Sequence, residues 1–305
     1  MTPAPRATLL FARLSALFTL LTVSGGAVVC ATKSGFDCHS WPGCYVDRFA
    51  PGPADIPAAL AANPALEMVH RVIAMSTGGL LIVTAILVLR LKTPLRTVKI
   101  LPWISCLAAG GSALFGRAAV LGLGVDATGA AIDLLCALVA MSLTLVTAVA
   151  LARGGRFTLG PVACPALLSS TLLILMYVSG QFAAGNRSFT RCMSWPILWL
   201  AHDDDWFLQL VRTGFAAAAA VVLVVAIRAA LVRGVARGTA LVLAGLLVAV
   251  LALGVAYRAS DADGGVLGIA FSLASVGVLW TTLLLGARAS LRAPATEPAP
   301  ELVHA

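Results

Sequence analysis

The sequence predicts an all-α, polytopic membrane protein with eight transmembrane helices, arranged as two four-helix bundles in a parallel repeat. Three observations predict it. The 305 residues are 60% hydrophobic and 11% charged, with a mean hydropathy of +0.98, whereas a soluble domain carries about 25% charged residues. Apolar runs of about 20 residues recur, each long enough to cross a ~30 Å hydrocarbon layer as a helix. A rare word, Cys-x-Ser-Trp-Pro, occurs at 38–42 and again at 192–196, 154 residues later.

Within lipid only helices or closed barrels satisfy the backbone, and continuous apolar runs rather than alternation select helices. Eight spans follow, near 8–31, 65–89, 100–121, 127–151, 161–184, 206–229, 238–258 and 264–286. The first is longer than a signal-peptide core and no small-x-small cleavage site follows it, so it reads as a retained helix. Arg90, Lys92, Arg96 and Lys99 lie between spans two and three, Arg153 and Arg156 between four and five, and Arg228, Arg233 and Arg237 around the six–seven connection. The alternate connections hold Asp37, Asp47, Asp55, Asp126, Asp203–Asp205, Asp261 and Asp263. Basic connections stay cytoplasmic. The expectation is a plasma-membrane protein with both termini inside and loops 32–64 and 185–205 outside. The net charge of +8 is absorbed by this asymmetry, which leaves no basic arm for nucleic acid; the contacts expected are membrane lipid and other membrane proteins.

The repeated word extends into a longer correspondence. Gly26 falls on Gly180, Ser34 on Ser188, Trp41-Pro42 on Trp195-Pro196, residues 69–71 on 210–212, and Gly116 on Gly254. Each unit is a helix, a long outer loop and three helices, so both copies keep one orientation. The units expected are residues 1–156 and 157–290, followed by a Pro/Ala-rich cytoplasmic tail, 291–305.

Few side chains can carry chemistry. Cys38 and Cys44 share an outer loop, close enough for a disulfide that is either a staple or an exchange-active pair. Cys192 has no local partner, and Cys30 reaches it only if the two halves pack closely, so Cys192 is left free. Cys106, Cys136 and Cys164 read as small packing residues, and Trp41 and Trp195 as interfacial anchors. His70 is the one histidine of four inside a span, with Glu67 three residues before it on one helix face. An ionisable group inside the membrane is a functional candidate, and a neutral imidazole can ligate a metal or haem iron; the alternative is a hydrogen-bonded core histidine. Asp133 in span four lies at a similar depth, roughly 8–9 Å below the outer surface at 1.5 Å per residue. Glu67, His70 and Asp133 are therefore expected in a common cavity, with Arg71 and Arg117 near enough to pair with them or with an acidic ligand. In the second half Val211 stands at the His70 position, with Arg212 beside it, and Ala270 falls near that of Asp133. The run His202-Asp203-Asp204-Asp205 reads as a solvated loop end rather than a metal cluster.

Two motifs together resemble the haem A synthases. Gly26, Thr32, Ser34, Gly35, Cys38, Trp41, Pro42 and Cys44 match the family's first-span-to-loop motif, and Glu67, His70, Arg71 and Ala74 match its second-span motif. The resemblance implies oxidation of a ring methyl of haem O to the formyl of haem A, for cytochrome oxidase assembly. It implies haem O in the first bundle with His70 as axial ligand, Glu67 as a catalytic carboxylate and Cys38–Cys44 as the loop disulfide. Haem O, or the synthase that makes it, becomes a partner. The chain departs from the pattern at Cys30, where the family has arginine, at Asp133, where it has histidine, and at Val211 and near Ala270, where it has the two histidines that hold haem b. Such losses fit either a divergent synthase keeping one haem, with Asp133 beside it, or a non-catalytic haem-binding or complex-assembly protein.

Overall fold

The computed structural model describes residues 4–35, 38, 40–45, 64–92, 96–154, 156–184, 189–197, 206–260 and 265–292. The chain is all-helical, with eight helices long and apolar enough to cross a membrane: α1 (Arg6–Ala31), α2 (Pro64–Leu89), α3 (Arg96–Val120), α4 (Ala127–Arg153), α5 (Ala163–Ala183), α6 (Trp206–Arg233), α7 (Arg237–Ala259) and α8 (Gly265–Ser290). Every end falls within four residues of the predicted span. A short 3₁₀ turn, Phe189–Arg191, follows α5, and Arg156–Phe157 pairs antiparallel with Leu291–Arg292.

The helix ends have local causes. Asp126 caps α4 by accepting from the Gly129 amide at 2.9 Å, and Gly154 ends that helix in the left-handed conformation at φ 61°. Thr and Ser side chains join helices where lipid offers no competing water. Ser15 meets Thr84 at 2.8 Å and Thr22 meets Thr77 at 2.8 Å, tying α1 to α2, while Thr19 meets Thr144 at 2.9 Å, tying α1 to α4. In the second half Ser169 donates to the Ala219 carbonyl at 3.1 Å, and the buried Tyr177 hydroxyl to the Ser275 carbonyl at 3.0 Å.

Helices α1–α4 close a ring in chain order, with α1 against α2 and α4, and α3 between α2 and α4. Helices α5–α8 close a ring in the same order. The two rings meet through α1 and α4 on one side and α5 and α8 on the other. Much of the buried apolar core lies at that seam and inside the second ring, from Leu138, Met141 and Leu145 to Leu173, Met176, Leu223, Leu243 and Leu279.

The close seam corrects the reading of Cys192, which is not free. It forms a disulfide with Cys30 at the end of α1, Cα–Cα 5.3 Å, joining residues 162 apart. Cys38 and Cys44 form the second disulfide, Cα–Cα 4.4 Å. Cys106 and Cys136 are half-buried thiols, whereas Cys164 is exposed rather than packed. The run 202–205 and the tail 293–305 lie outside the described residues.

Candidate functional site

The word Cys-x-Ser-Trp-Pro is held at one end of each ring by an arginine from the following helix. In the first half, Arg71 of α2 reaches the loop with both terminal nitrogens. It donates to the carbonyls of Ser40, Gly43 (2.8 Å) and Cys38 (3.1 Å), and pairs with Glu67 one turn earlier. The other Glu67 carboxylate oxygen accepts from the Cys38 amide at 3.0 Å. Glu67 is buried at 3% exposure, so this network satisfies a charge that would otherwise be costly. The i,i+4 spacing puts Glu67 beside Arg71, and the disulfide rounds the loop so that its carbonyls converge on one guanidinium.

The second half repeats the clamp with different chemistry. Arg212 of α6, fully buried, donates to the carbonyl and hydroxyl of Ser194, the counterpart of Ser40, and to Gln209 at 3.4 Å. The correspondence of 69–71 with 210–212 thus has a physical basis: the arginine ending each triplet fixes the serine of its own loop. The tryptophans diverge. Trp41 is exposed and lies under the Arg117 guanidinium, 5.2 Å from ring centre to carbon. Trp195 is not an interfacial anchor but a core residue, its indole N–H donating to Tyr177 at 3.1 Å.

His70, Asp133 and Glu67 make no hydrogen bonds to one another. The His70 ring lies on α1 against Gly25 and Gly26, where a Cβ on Gly25 would stand 3.0 Å from Nδ1 and one on Gly26 3.5 Å from Cε1. Nδ1 is buried with no hydrogen-bond partner among the described residues. Asp133 accepts from Ser112 of α3, and its own helix α4 stands across the ring from that of His70. The carboxylate of Glu67 is thus committed to the loop, and the expected common cavity has at most His70 and Asp133 on its walls. The glycine pair gives a graded test. Gly25→Ala must displace the imidazole and is expected to cost about 1–3 kcal/mol; Gly26→Ala, at ordinary contact distance, should cost less, and melting temperatures in detergent would rank them.

The repeat also shows what fills each ring. Under Trp195, Phe189 stacks on Tyr257 at 4.5 Å and on Phe271 at 6.1 Å. Ile197 presses on Gly254, where a Cβ would come within 2.1 Å of its Cδ1. Only a cavity of about 10 Å³ remains between these side chains and Arg212, room for one water at most. By the offset of the repeated word, Phe189 and Ile197 correspond to Gly35 and Gly43. By the offset of Gly116 and Gly254, Tyr257 and Phe271 correspond to Ala119 and Asp133. Four large side chains plug the second ring where the first has two glycines, an alanine and an aspartate. Ser112 and the plugging aromatics escaped sequence reading; the signal that finds the aromatics is the repeat alignment itself.

No family model matches the chain, and no curated protein matches it. Among the described residues no three His, Cys, Asp or Glu side chains gather as a metal site.

Proposed function

We propose that this chain is a haem A synthase-like integral membrane protein that takes haem O into its first ring, with His70 as its one axial histidine, and oxidises it to haem A. The observation that carries the reading is the asymmetry of the repeat. The ring plugged by Phe189, Ile197, Tyr257 and Phe271 has Val211 at the ligand position, and the ring with small residues at those places has His70. Within the first ring the fit rests on His70, whose buried Nδ1 lacks a hydrogen-bond partner among the described residues. Asp133, steadied by Ser112, stands where a second ligand or a bound water would be met. Haem O supplies the ring methyl to be oxidised. The second ring does not fit haem b as packed, because its side chains fill the space and no histidine stands among its described residues.

The location proposed with this function is the plasma membrane, with both termini cytoplasmic and the clamped loops outside. Haem O, or the synthase delivering it, is the proposed partner. A second reading, haem binding without turnover, is favoured by Glu67, since both of its oxygens are engaged by Arg71 and the Cys38 amide.

Purification in detergent after co-expression with a haem O source, followed by an absorption spectrum and chromatography of the extracted haem, tests both. The expected result is a single equivalent of haem, lost in His70→Ala, with haem A in the extract. Haem O retained unchanged would select the second reading. Glu67→Gln should keep haem and lose conversion if Glu67 is catalytic. A protein free of haem would sink both readings.

A further inference from the structure

At the far end of α6 from the clamp, one helix face carries an apolar groove edged by arginines. Val225, Arg228, Ala229, Val232 and Arg233 line it. The spacing, i, i+3, i+4, i+7 and i+8, is that of one helical stripe. Val225 and Val232 are exposed, as are Val221 and Val224 on the turn before, so the stripe faces the surroundings rather than another helix. Arg237, the first residue of α7, folds back over the connecting turn, with Nε 3.6 Å from where a Cβ on Gly234 would stand. That brings a third cation to the groove's end.

None of Arg228, Arg233 and Arg237 has a hydrogen bond or ion pair within the described residues. Two other arginines at this end are engaged: Arg153 donates to the Arg288 carbonyl at 2.7 Å, and Arg288 to Thr239 at 2.7 Å. The acids among the described residues, Glu67, Asp126 and Asp133, all lie toward the opposite end of the helices. Arg228 and Arg233 are five residues apart, about 7.5 Å along the axis, a distance that spans the boundary between headgroups and acyl chains. A guanidinium there stays at the polar level while its methylenes lie along the apolar stripe. An occupant must therefore offer a phosphate to the guanidinium groups and an acyl chain to the two exposed valines and Ala229 at once.

We propose that this groove is a binding site for an anionic phospholipid. The headgroup phosphate takes charge-assisted hydrogen bonds from Arg228 and Arg233, with Arg237 adding charge, and one acyl chain runs along Val232, Ala229 and Val225 toward the membrane centre. The site is independent of the haem reading and uses none of its residues.

Native mass spectrometry of the full chain released from mixed micelles tests this, with phosphatidylglycerol and phosphatidylcholine of identical acyl chains as probes. The expected result is a preference for phosphatidylglycerol of roughly tenfold, falling toward parity in R228Q/R233Q. R90Q/K92Q, which removes two charges from the same end of α2, should keep the preference, and R228K/R233K should retain part of it. Ala229→Trp, filling the groove with the charges intact, should also lose it. Equal retention of both lipids by the unaltered protein would overturn the proposal. So would an unchanged preference in R228Q/R233Q, an equal loss in R90Q/K92Q, or displacement of the lipid by inorganic phosphate at matched concentration, which would mark a bare anion site.

Discussion

Glu67→Ala is expected to destabilise the loop-bearing end of the first ring by about 3–5 kcal/mol, the usual cost of removing one partner from a buried ion pair. Both groups of the pair are shielded, with side-chain exposures of 4% for Glu67 and 11% for Arg71, so solvent does not rescue the charge left behind. The loss would also free the Cys38 amide and loosen the guanidinium that gathers the carbonyls of Cys38, Ser40 and Gly43. Two measurements check it: a lower melting temperature in detergent and faster reduction of Cys38–Cys44 by an added thiol. Glu67→Gln keeps one acceptor oxygen but turns an N–H toward either Arg71 or the Cys38 amide, so it should cost less than Glu67→Ala while still lowering the melting temperature. A double-mutant cycle with Arg71→Met separates the pair from the loop. If the two substitutions add, Glu67 and Arg71 act independently and the clamp does not exist as described.

The clamp also shows where sequence reasoning stops. Spans were legible because lipid imposes one rule on every residue of a segment, and the ends came within a few residues because capping groups such as Asp126 and Gly154 act locally. Cys38–Cys44 was legible for the same reason, its partners lying in one short loop. The destination of the Glu67 carboxylate was not. Spacing alone places Arg71 one turn away, but the loop groups that complete the network are backbone atoms, identical in every residue. The reading therefore sent Glu67 toward His70 and Asp133, with which it makes no hydrogen bond. Trp195 failed on packing: a tryptophan near a span end anchors at the interface unless its N–H has a buried acceptor, and Tyr177, eighteen residues earlier, supplies one. The plug of the second ring was half legible. Val211 marks where the second half departs from His70, yet only the folded ring shows Phe189, Tyr257 and Phe271 closing on one another.

Cys30–Cys192 failed for a related reason, and it carries the other large prediction. Its partners are distant in sequence, and what joins them is the packing of α1 against α8 and against the short turn before Cys192. Breaking it in Cys192→Ser is expected to cost about 2–4 kcal/mol. The chain-entropy estimate for so long a loop is near 5 kcal/mol, but helices kept in the bilayer lose less freedom on folding than a chain in water, which lowers the figure. The damage should be directional. Cys30 lies one turn beyond Gly26, on which His70 rests, and the Cys192 carbonyl is fixed by Ser272 of α8. The bond thus holds the wall of the His70 site to the plugged ring. Thermal melting in detergent should show Cys30→Ser, Cys192→Ser and the double variant destabilised alike, since each removes the same bond. A reductant should lower the melting temperature of the unaltered protein by more than that of the double variant, which keeps only Cys38–Cys44. Single variants that differ by more than their replaced side chains explain would show that Cys30 and Cys192 act separately, and the seam would then owe its closeness to packing alone.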